Sequence, residues 1–134
     1  MMHESEIASL RPQEPGGLSH GERAALAVRV ARLHAEEGLA AHYAELAAEA
    51  GATGATAALA DPAFKGDSTA RLSAIVAYTD LVSLAPKDAA AGDLEALQAA
   101  GISDADIVRL AELVAFLAFQ IRVVQGLRLM QATA

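Results

Sequence analysis

The stretch IVRLAELVAFLAFQIRVV, residues 107–124, is the longest apolar run in the chain and decides its fold class. Its apolar side chains point to almost every side of a helix, while Arg109, Glu112 and Arg122 disfavour a membrane span. A single helix in a chain of 134 residues is seldom covered on all sides by the rest of that chain. We therefore expect a core helix capped by Ser103 that also contacts a second copy of the chain over residues 103–128.

The composition favours an all-α domain built from closely packed helices. Hydrophobic residues make up 54% of the chain and aromatic residues only 4%, and most of the apolar residues are Ala and Leu. The net charge of −7 argues against nucleic acid and anionic membrane surfaces as partners. The sequence contains no cysteine, which excludes disulfides, thiolate catalysis and cysteine-ligated zinc within it. The N-terminus lacks the pattern of a signal peptide, so we expect a cytoplasmic protein.

Caps and helix breakers divide the chain into a flexible N-terminal arm, residues 1–17, and one all-α domain, residues 18–134. Ser19 and Glu22 form a capping box at the start of the first long helix. Gly38 either lies within that helix or marks the meeting point of two helices. Residues 51–62 predict a loop or a short helix. Further helices are expected at about 69–84, with Asp67 or Ser68 as cap, at about 92–100, closed by Gly101, and after Ser103.

Several short motifs in the second half of the chain occur together in a known superfamily. They are Asp93-Leu94, Ala96-Leu97, Ala100-Gly101, Ser103-Asp104, Asp106-Ile107 and Phe119 to Arg122. With the helix LSHGERAALAV before them, they resemble the carboxymuconolactone decarboxylase and alkylhydroperoxidase D-like superfamily, and within it the peroxidase-related branch. The resemblance covers residues 18–130 and implies a homo-oligomeric helical bundle.

Active members of that superfamily carry a Cys-x-x-Cys motif followed by a histidine. If His42 is matched to that histidine, Ala35 and Gly38 occupy the cysteine positions. If the upstream helix is matched instead, Glu36 and Leu39 occupy them. Neither match supplies a thiol, so the resemblance implies an active-site helix without thiol peroxidase chemistry.

The resemblance also suggests catalytic residues. His42 corresponds to the superfamily histidine and is a candidate general base or ligand donor. The alternative is a partly buried helix histidine with a satisfied hydrogen bond. Glu22 corresponds, less closely, to a glutamate that assists proton transfer, although completing the capping box is an alternative role for it.

Three more polar residues are candidate ligand-binding residues. His34 lies eight residues before His42, so both rings approach one cleft if the helix is continuous. Arg122 and Gln120 lie in the apolar last helix, where a buried arginine needs an anionic partner. Arg122 is expected to hold a substrate carboxylate, or to pair with Asp80 or with a glutamate from another helix. We predict no metal site and no cofactor.

Two classes of function agree with this pattern, and whether the protein is an enzyme stays open. In the first, the protein binds or transforms a small organic acid or lactone at a cleft that contains His42. In the second, it is a non-catalytic homo-oligomeric structural protein. A third arrangement has it as the partner of a cysteine-bearing paralogue that supplies the redox centre.

Overall fold

The computed structural model describes residues 2–133 and the side chains of residues 6–132. All regular secondary structure in this range is helical, which confirms the all-α prediction. The helices are α1 (Met2–Leu10), α2 (His20–Leu33), α3 (Glu37–Glu49), α4 (Gly54–Ala58), α5 (Ala70–Leu84), α6 (Ala91–Ala99) and α7 (Asp104–Thr133), with a 3₁₀ turn at Pro86–Asp88. None of the described helices is both long and apolar enough to cross a membrane.

The N-terminal segment differs from the arm that the sequence predicted over residues 1–17. It contains α1, which packs against α2 and α7, and Leu10 at the end of α1 is completely buried. The buried Arg23 guanidinium on α2 donates hydrogen bonds to the carbonyl oxygens of Ser9, Pro15 and Leu18. The segment between α1 and α2 is therefore tied to the domain through its own backbone.

Helix α2 is the centre of the domain and packs against α1, α3, α4, α5 and α7. It is buried along most of its length, because its many alanines let neighbouring helices approach on every side. The capping box predicted for its first turn is confirmed: Ser19 Oγ accepts from the Glu22 N–H, and Glu22 accepts from the Ser19 N–H.

Two helices meet near Gly38, which was one of the two outcomes that the sequence left open. The break falls before that glycine, between Leu33 at the end of α2 and Glu37 at the start of α3. Ala35 adopts a φ of +56°, in the left-handed region that costs an alanine about 1–2 kcal/mol. Gly38 lies within the first turn of α3.

A buried ion pair between α2 and α5 holds the middle of the domain together. The fully buried Arg29 makes two hydrogen bonds to Asp80, from Nε to Oδ1 at 2.6 Å and from Nη2 to Oδ2 at 2.7 Å. Its Nη1 also donates to the carbonyl oxygens of Asp61 and Phe64, each at 2.9 Å. Arg29 therefore fixes the loop between α4 and α5, and Asp80 pairs with it rather than with Arg122.

The C-terminal half follows the sequence prediction closely. Helix α5 begins one residue after its cap, which is Thr69 rather than Asp67 or Ser68. Gly101 has a φ of +86° after α6, and Ser103 Oγ accepts from the Asp106 N–H at the start of α7. One side of α7 is buried in the core, whereas the opposite side is exposed.

Candidate functional site

The end of α2, the end of α5 and the middle of α7 enclose a cleft of about 250 Å³, which we call the junction cleft. His34 and Arg122, both predicted from the sequence as ligand-binding residues, line it together. The other lining residues are Val82, Ser83, Pro86, Ala118, Ile121 and Gln125. Polar groups therefore stand at one cleft over a mainly apolar wall, which is the usual composition of a small-molecule site.

His34 is the C-cap residue that follows α2, and its side chain is half-buried. Its Nε2 lies 3.1 Å from the carbonyl oxygen of Ser83, at the end of α5. Because a carbonyl oxygen only accepts, Nε2 must carry the proton. In the neutral ring Nδ1 then has a lone pair, so His34 can accept a hydrogen bond or a proton there.

Ser83 and Arg122 have unused hydrogen-bonding capacity. The Ser83 Oγ is buried, and no described residue hydrogen-bonds to it. The exposed Arg122 side chain makes no hydrogen bond or ion pair with any residue in the described range 2–133, whereas every other arginine there makes at least one. A buried hydroxyl without a partner is costly, so it points to a bound water or ligand group.

A second ion pair links the break between α2 and α3 to α7. The buried Glu36 carboxylate accepts two hydrogen bonds from Arg128 on α7, with Nη2 2.6 Å from Oε1 and Nη1 3.1 Å from Oε2. The hydrogen bond from Arg128 lowers the pKa of Glu36 against the opposing effect of burial, and Gln125 and His34 lower it further. Glu36 is therefore a carboxylate at neutral pH and anchors the break instead of acting as an acid.

His42, the candidate catalytic residue, lies outside the junction cleft. Its exposed ring is on α3, where Nε2 is 2.6 Å from Glu6 Oε1 of α1, and the neighbouring Tyr43 ring is 5.3 Å away. The prediction that both histidines approach one cleft assumed a continuous helix, and the break at 34–36 separates them. In the structure His42 joins α1 to α3.

Glu22, the second catalytic candidate, lies at the other end of α2. Twelve residues, or about 18 Å of helix, separate it from His34. Its carboxylate completes the capping box and accepts from both Nη atoms of Arg71 on α5. Burial raises the pKa of Glu22, but hydrogen bonds from Arg71 and Ser19 outweigh burial, so the pKa is lowered overall. These contacts support the capping role.

Gln120 is buried on the side of α7 that faces α3. Its Nε2 lies 3.4 Å from the Tyr43 hydroxyl, and its Oε1 has no partner among the described residues. Burial raises the pKa of Tyr43, so the phenol stays neutral. Gln120 does not line the junction cleft. Within residues 2–133 there is also no group of three or more histidine and carboxylate residues that could hold a metal ion.

Sequence reasoning missed Ser83 and Gln125 at this site. Neither belongs to a motif, and only the packing of α5 and α7 beside the end of α2 brings them to His34. A serine at the end of an apolar helix carries no signal that its hydroxyl will be buried without a partner.

The helical fold of this chain recurs in a solved structure. The chain matches the crystal structure of an uncharacterized peroxidase-related protein from Silicibacter sp. TM1040, with a TM-score of 0.77 and 18% sequence identity. The match covers 93% of this chain and 65% of that one, so this chain spans about two thirds of its length. At this identity the likeness shows the fold alone. No protein-family model and no curated protein matches the chain.

Proposed function

We propose that this protein binds a small organic acid in the junction cleft, and that it does so without thiol peroxidase chemistry. The observation that carries the proposal is that three residues with unused hydrogen-bonding groups line the same cleft. They are the Arg122 guanidinium, the buried Ser83 hydroxyl and His34 Nδ1. The 134 residues contain no cysteine to supply a peroxidatic or resolving thiol.

Each lining group corresponds to a part of such a ligand. The guanidinium has a planar fork of N–H donors that matches a carboxylate. The Ser83 hydroxyl and His34 Nδ1 suit a second polar group, such as a hydroxyl or a ring oxygen. Val82, Pro86 and Ile121 supply an apolar wall for the carbon skeleton. At about 250 Å³, the cleft is below the roughly 300 Å³ at which drug-sized sites begin, which favours a compact acid.

His34 replaces His42 as the residue that we expect to take a proton from the ligand. Its Nε2–H is fixed on the Ser83 carbonyl, so the ring is oriented with Nδ1 as the basic atom. If the bound acid places a hydroxyl or an acidic C–H beside Nδ1, His34 would take that proton from the ligand.

A thermal-shift and calorimetric titration tests the proposal. The probes are acetate, lactate, benzoate and 4-hydroxybenzoate, with benzamide as the uncharged counterpart of benzoate. At 10 mM, an acid with a Kd of about 1 mM stabilises the folded protein by about 1.4 kcal/mol, which corresponds to a rise in Tm of about 5 °C. We expect this rise with at least one acid and none with benzamide.

Three variants locate the binding site. Arg122→Gln should abolish the shift by removing the charge, and Ser83→Ala should weaken it. Arg11→Gln is the matched control, since Arg11 is an exposed arginine whose ion pair with Glu49 lies far along the sequence from the cleft residues. Equal shifts in the wild type and Arg122→Gln, or no shift with any acid, would reject the proposal.

A further inference from the structure

The outer face of α7 carries a regular row of residues, which we call the α7 seam; all are exposed except the partly buried Gly126. Its members follow one another at spacings of four, three, four, three and four residues: Val108, Glu112, Ala115, Phe119, Arg122 and Gly126. This is the heptad spacing with which one helix meets another along a common line. The seam spans 18 residues, or about 27 Å of helix.

The seam is exposed although it is largely apolar. Val108 is 54% and Phe119 53% exposed, and Glu112, Ala115 and Arg122 are also exposed. The opposite face of α7 is buried in the core through residues such as Leu110, Leu113 and Leu117. Two large apolar side chains at helical spacing on the open side of a core helix need a partner surface to leave water.

We propose that the α7 seam pairs with the α7 seam of a second copy of this chain, antiparallel, about a two-fold axis that passes beside residue 117. In that register the residue numbers of two facing residues, one from each copy, add up to 234. Phe119 faces Ala115 of the second copy, Val108 faces Gly126 of the second copy, and Glu112 faces Arg122 of the second copy. Each large side chain thus meets a small residue, and each charge meets its opposite.

The charges decide between the antiparallel and parallel arrangements. Neither Glu112 nor Arg122 makes a hydrogen bond or ion pair with another residue in the described range. Burial lowers the pKa of Arg23, and the nearby Glu112 charge only partly opposes that effect. A parallel pair in register would place Glu112 against Glu112 and Arg122 against Arg122. It would also place Phe119 against Phe119 and leave a void at Gly126. The antiparallel register replaces two repulsions with two ion pairs and fills the void.

Arg122 takes part in this pairing and in the proposed ligand site, but the two proposals fail separately. A guanidinium has five N–H donors, and a carboxylate engages two of them. Ser83 lines the cleft and is absent from the seam, whereas Glu112 belongs to the seam and is absent from the cleft. Ser83→Ala therefore tests the ligand site alone, and substitution of Glu112 tests the pairing alone.

The test is a charge-swap series measured by sedimentation equilibrium. The proteins are the wild type, E112R, R122E and the double variant E112R/R122E, with E95R as control. Glu95 is an exposed glutamate on α6, so E95R changes the net charge as much as E112R does. Any effect of the new arginine on Arg23 within one chain is common to E112R and the double variant.

We expect a wild-type dimer whose Kd rises about tenfold or more in each single variant, because each one loses two ion pairs and gains two like-charge contacts. The double variant should return to within about threefold of the wild type, and E95R should not change the Kd. A monomeric wild type, a dimer that the single variants leave unchanged, or a double variant as weak as the single ones would overturn the proposal.

A distance measurement checks the orientation independently. Because the sequence has no cysteine, Asp104→Cys supplies one unique site for a nitroxide label at the start of α7. The antiparallel register places the two labels of a dimer about 40 Å apart along the helices. A parallel pair would place them at roughly the interhelical distance of 8–10 Å. A short distance would overturn the register.

Discussion

Replacement of Arg29 by methionine is the perturbation to which this fold should be most sensitive. Arg29 is completely buried on α2, pairs with Asp80 on α5 and donates to the carbonyl oxygens of Asp61 and Phe64. Methionine keeps most of the length of the side chain but removes every donor. The variant therefore separates the polar role of Arg29 from its volume.

The expected cost follows from what the substitution leaves behind. Removing one partner of a buried ion pair costs about 3–5 kcal/mol. Asp80 keeps 20% of its side chain exposed, so the lower end of that range applies to it. Four carbonyl oxygens lose a donor: those of Asp61 and Phe64 at 2.9 Å, at about 1 kcal/mol each, and those of Leu59 and Pro62 at 3.3 Å, at about half of that. Burial of the methionine side chain recovers part of this loss. We expect Arg29→Met to lower the free energy of unfolding by about 4 kcal/mol, a large part of a typical total of about 5–15 kcal/mol.

Urea denaturation followed by far-ultraviolet circular dichroism measures this cost, at one protein concentration because self-association would shift the midpoint. Asp80→Asn should cost about 3 kcal/mol, since it leaves the Arg29 charge buried. The double variant should cost about 2 kcal/mol less than the sum of the two. Arg11→Met, which removes an exposed ion pair at 3.7 Å, should cost less than about 1 kcal/mol. A cost of Arg29→Met no larger than that of Arg11→Met, or additive costs of Arg29→Met and Asp80→Asn, would contradict a buried ion pair that stabilises the fold.

Two further predictions concern the start of α2 and the turn before α5. Because the folded-state pKa of Glu22 is lowered, the wild type should lose stability as the pH falls below about 4.3. Glu22→Gln should be about 2 kcal/mol less stable at pH 7 and should lose less stability in acid than the wild type does. Parallel pH profiles of stability for the two proteins would contradict this. Gly66→Ala should cost more than about 2 kcal/mol, because φ is +77° and a Cβ would lie 2.5 Å from the Leu72 carbonyl group. Gly92→Ala is the control, because a Cβ at Gly92 would lie in open space; this variant should be neutral or more stable by about 0.5 kcal/mol in the same assay. Equal losses of unfolding free energy in the two alanine variants would show that the turn at Gly66 is not strained.

Features of the fold that depend on a few neighbouring residues were predictable from the sequence. The Ser19–Glu22 capping box, the left-handed Gly101 and the Ser103 cap are each formed within three or four residues. Local chemistry is enough to specify them. The long apolar helix α7 was predictable for the same reason, because its composition alone excludes a loop.

Features set by tertiary packing were not predictable. In the sequence Arg29 looks like an exposed arginine in the middle of a helix. It is buried only because Asp80 and the α4–α5 loop pack against it in the folded domain. At the break between α2 and α3, Ala35 adopts the left-handed conformation, which sequence signals assign to glycine. The sequence therefore predicted the meeting point of the two helices at Gly38 instead of at Ala35. With the break at this position, His34 lines the junction cleft, whereas His42 lies on α3 and pairs with Glu6 of α1.

An NMR spectrum of the arginine Nε–Hε groups during a titration with benzoate tests the central claim most directly. We predict that the Arg122 signal, assigned by its loss in Arg122→Gln, moves saturably with benzoate and stays in place with benzamide. The Arg29 signal, whose Nε–H is held by Asp80, should not move. An Arg122 signal that stays unchanged at millimolar benzoate, or that moves equally with benzamide, would contradict a carboxylate site in the junction cleft.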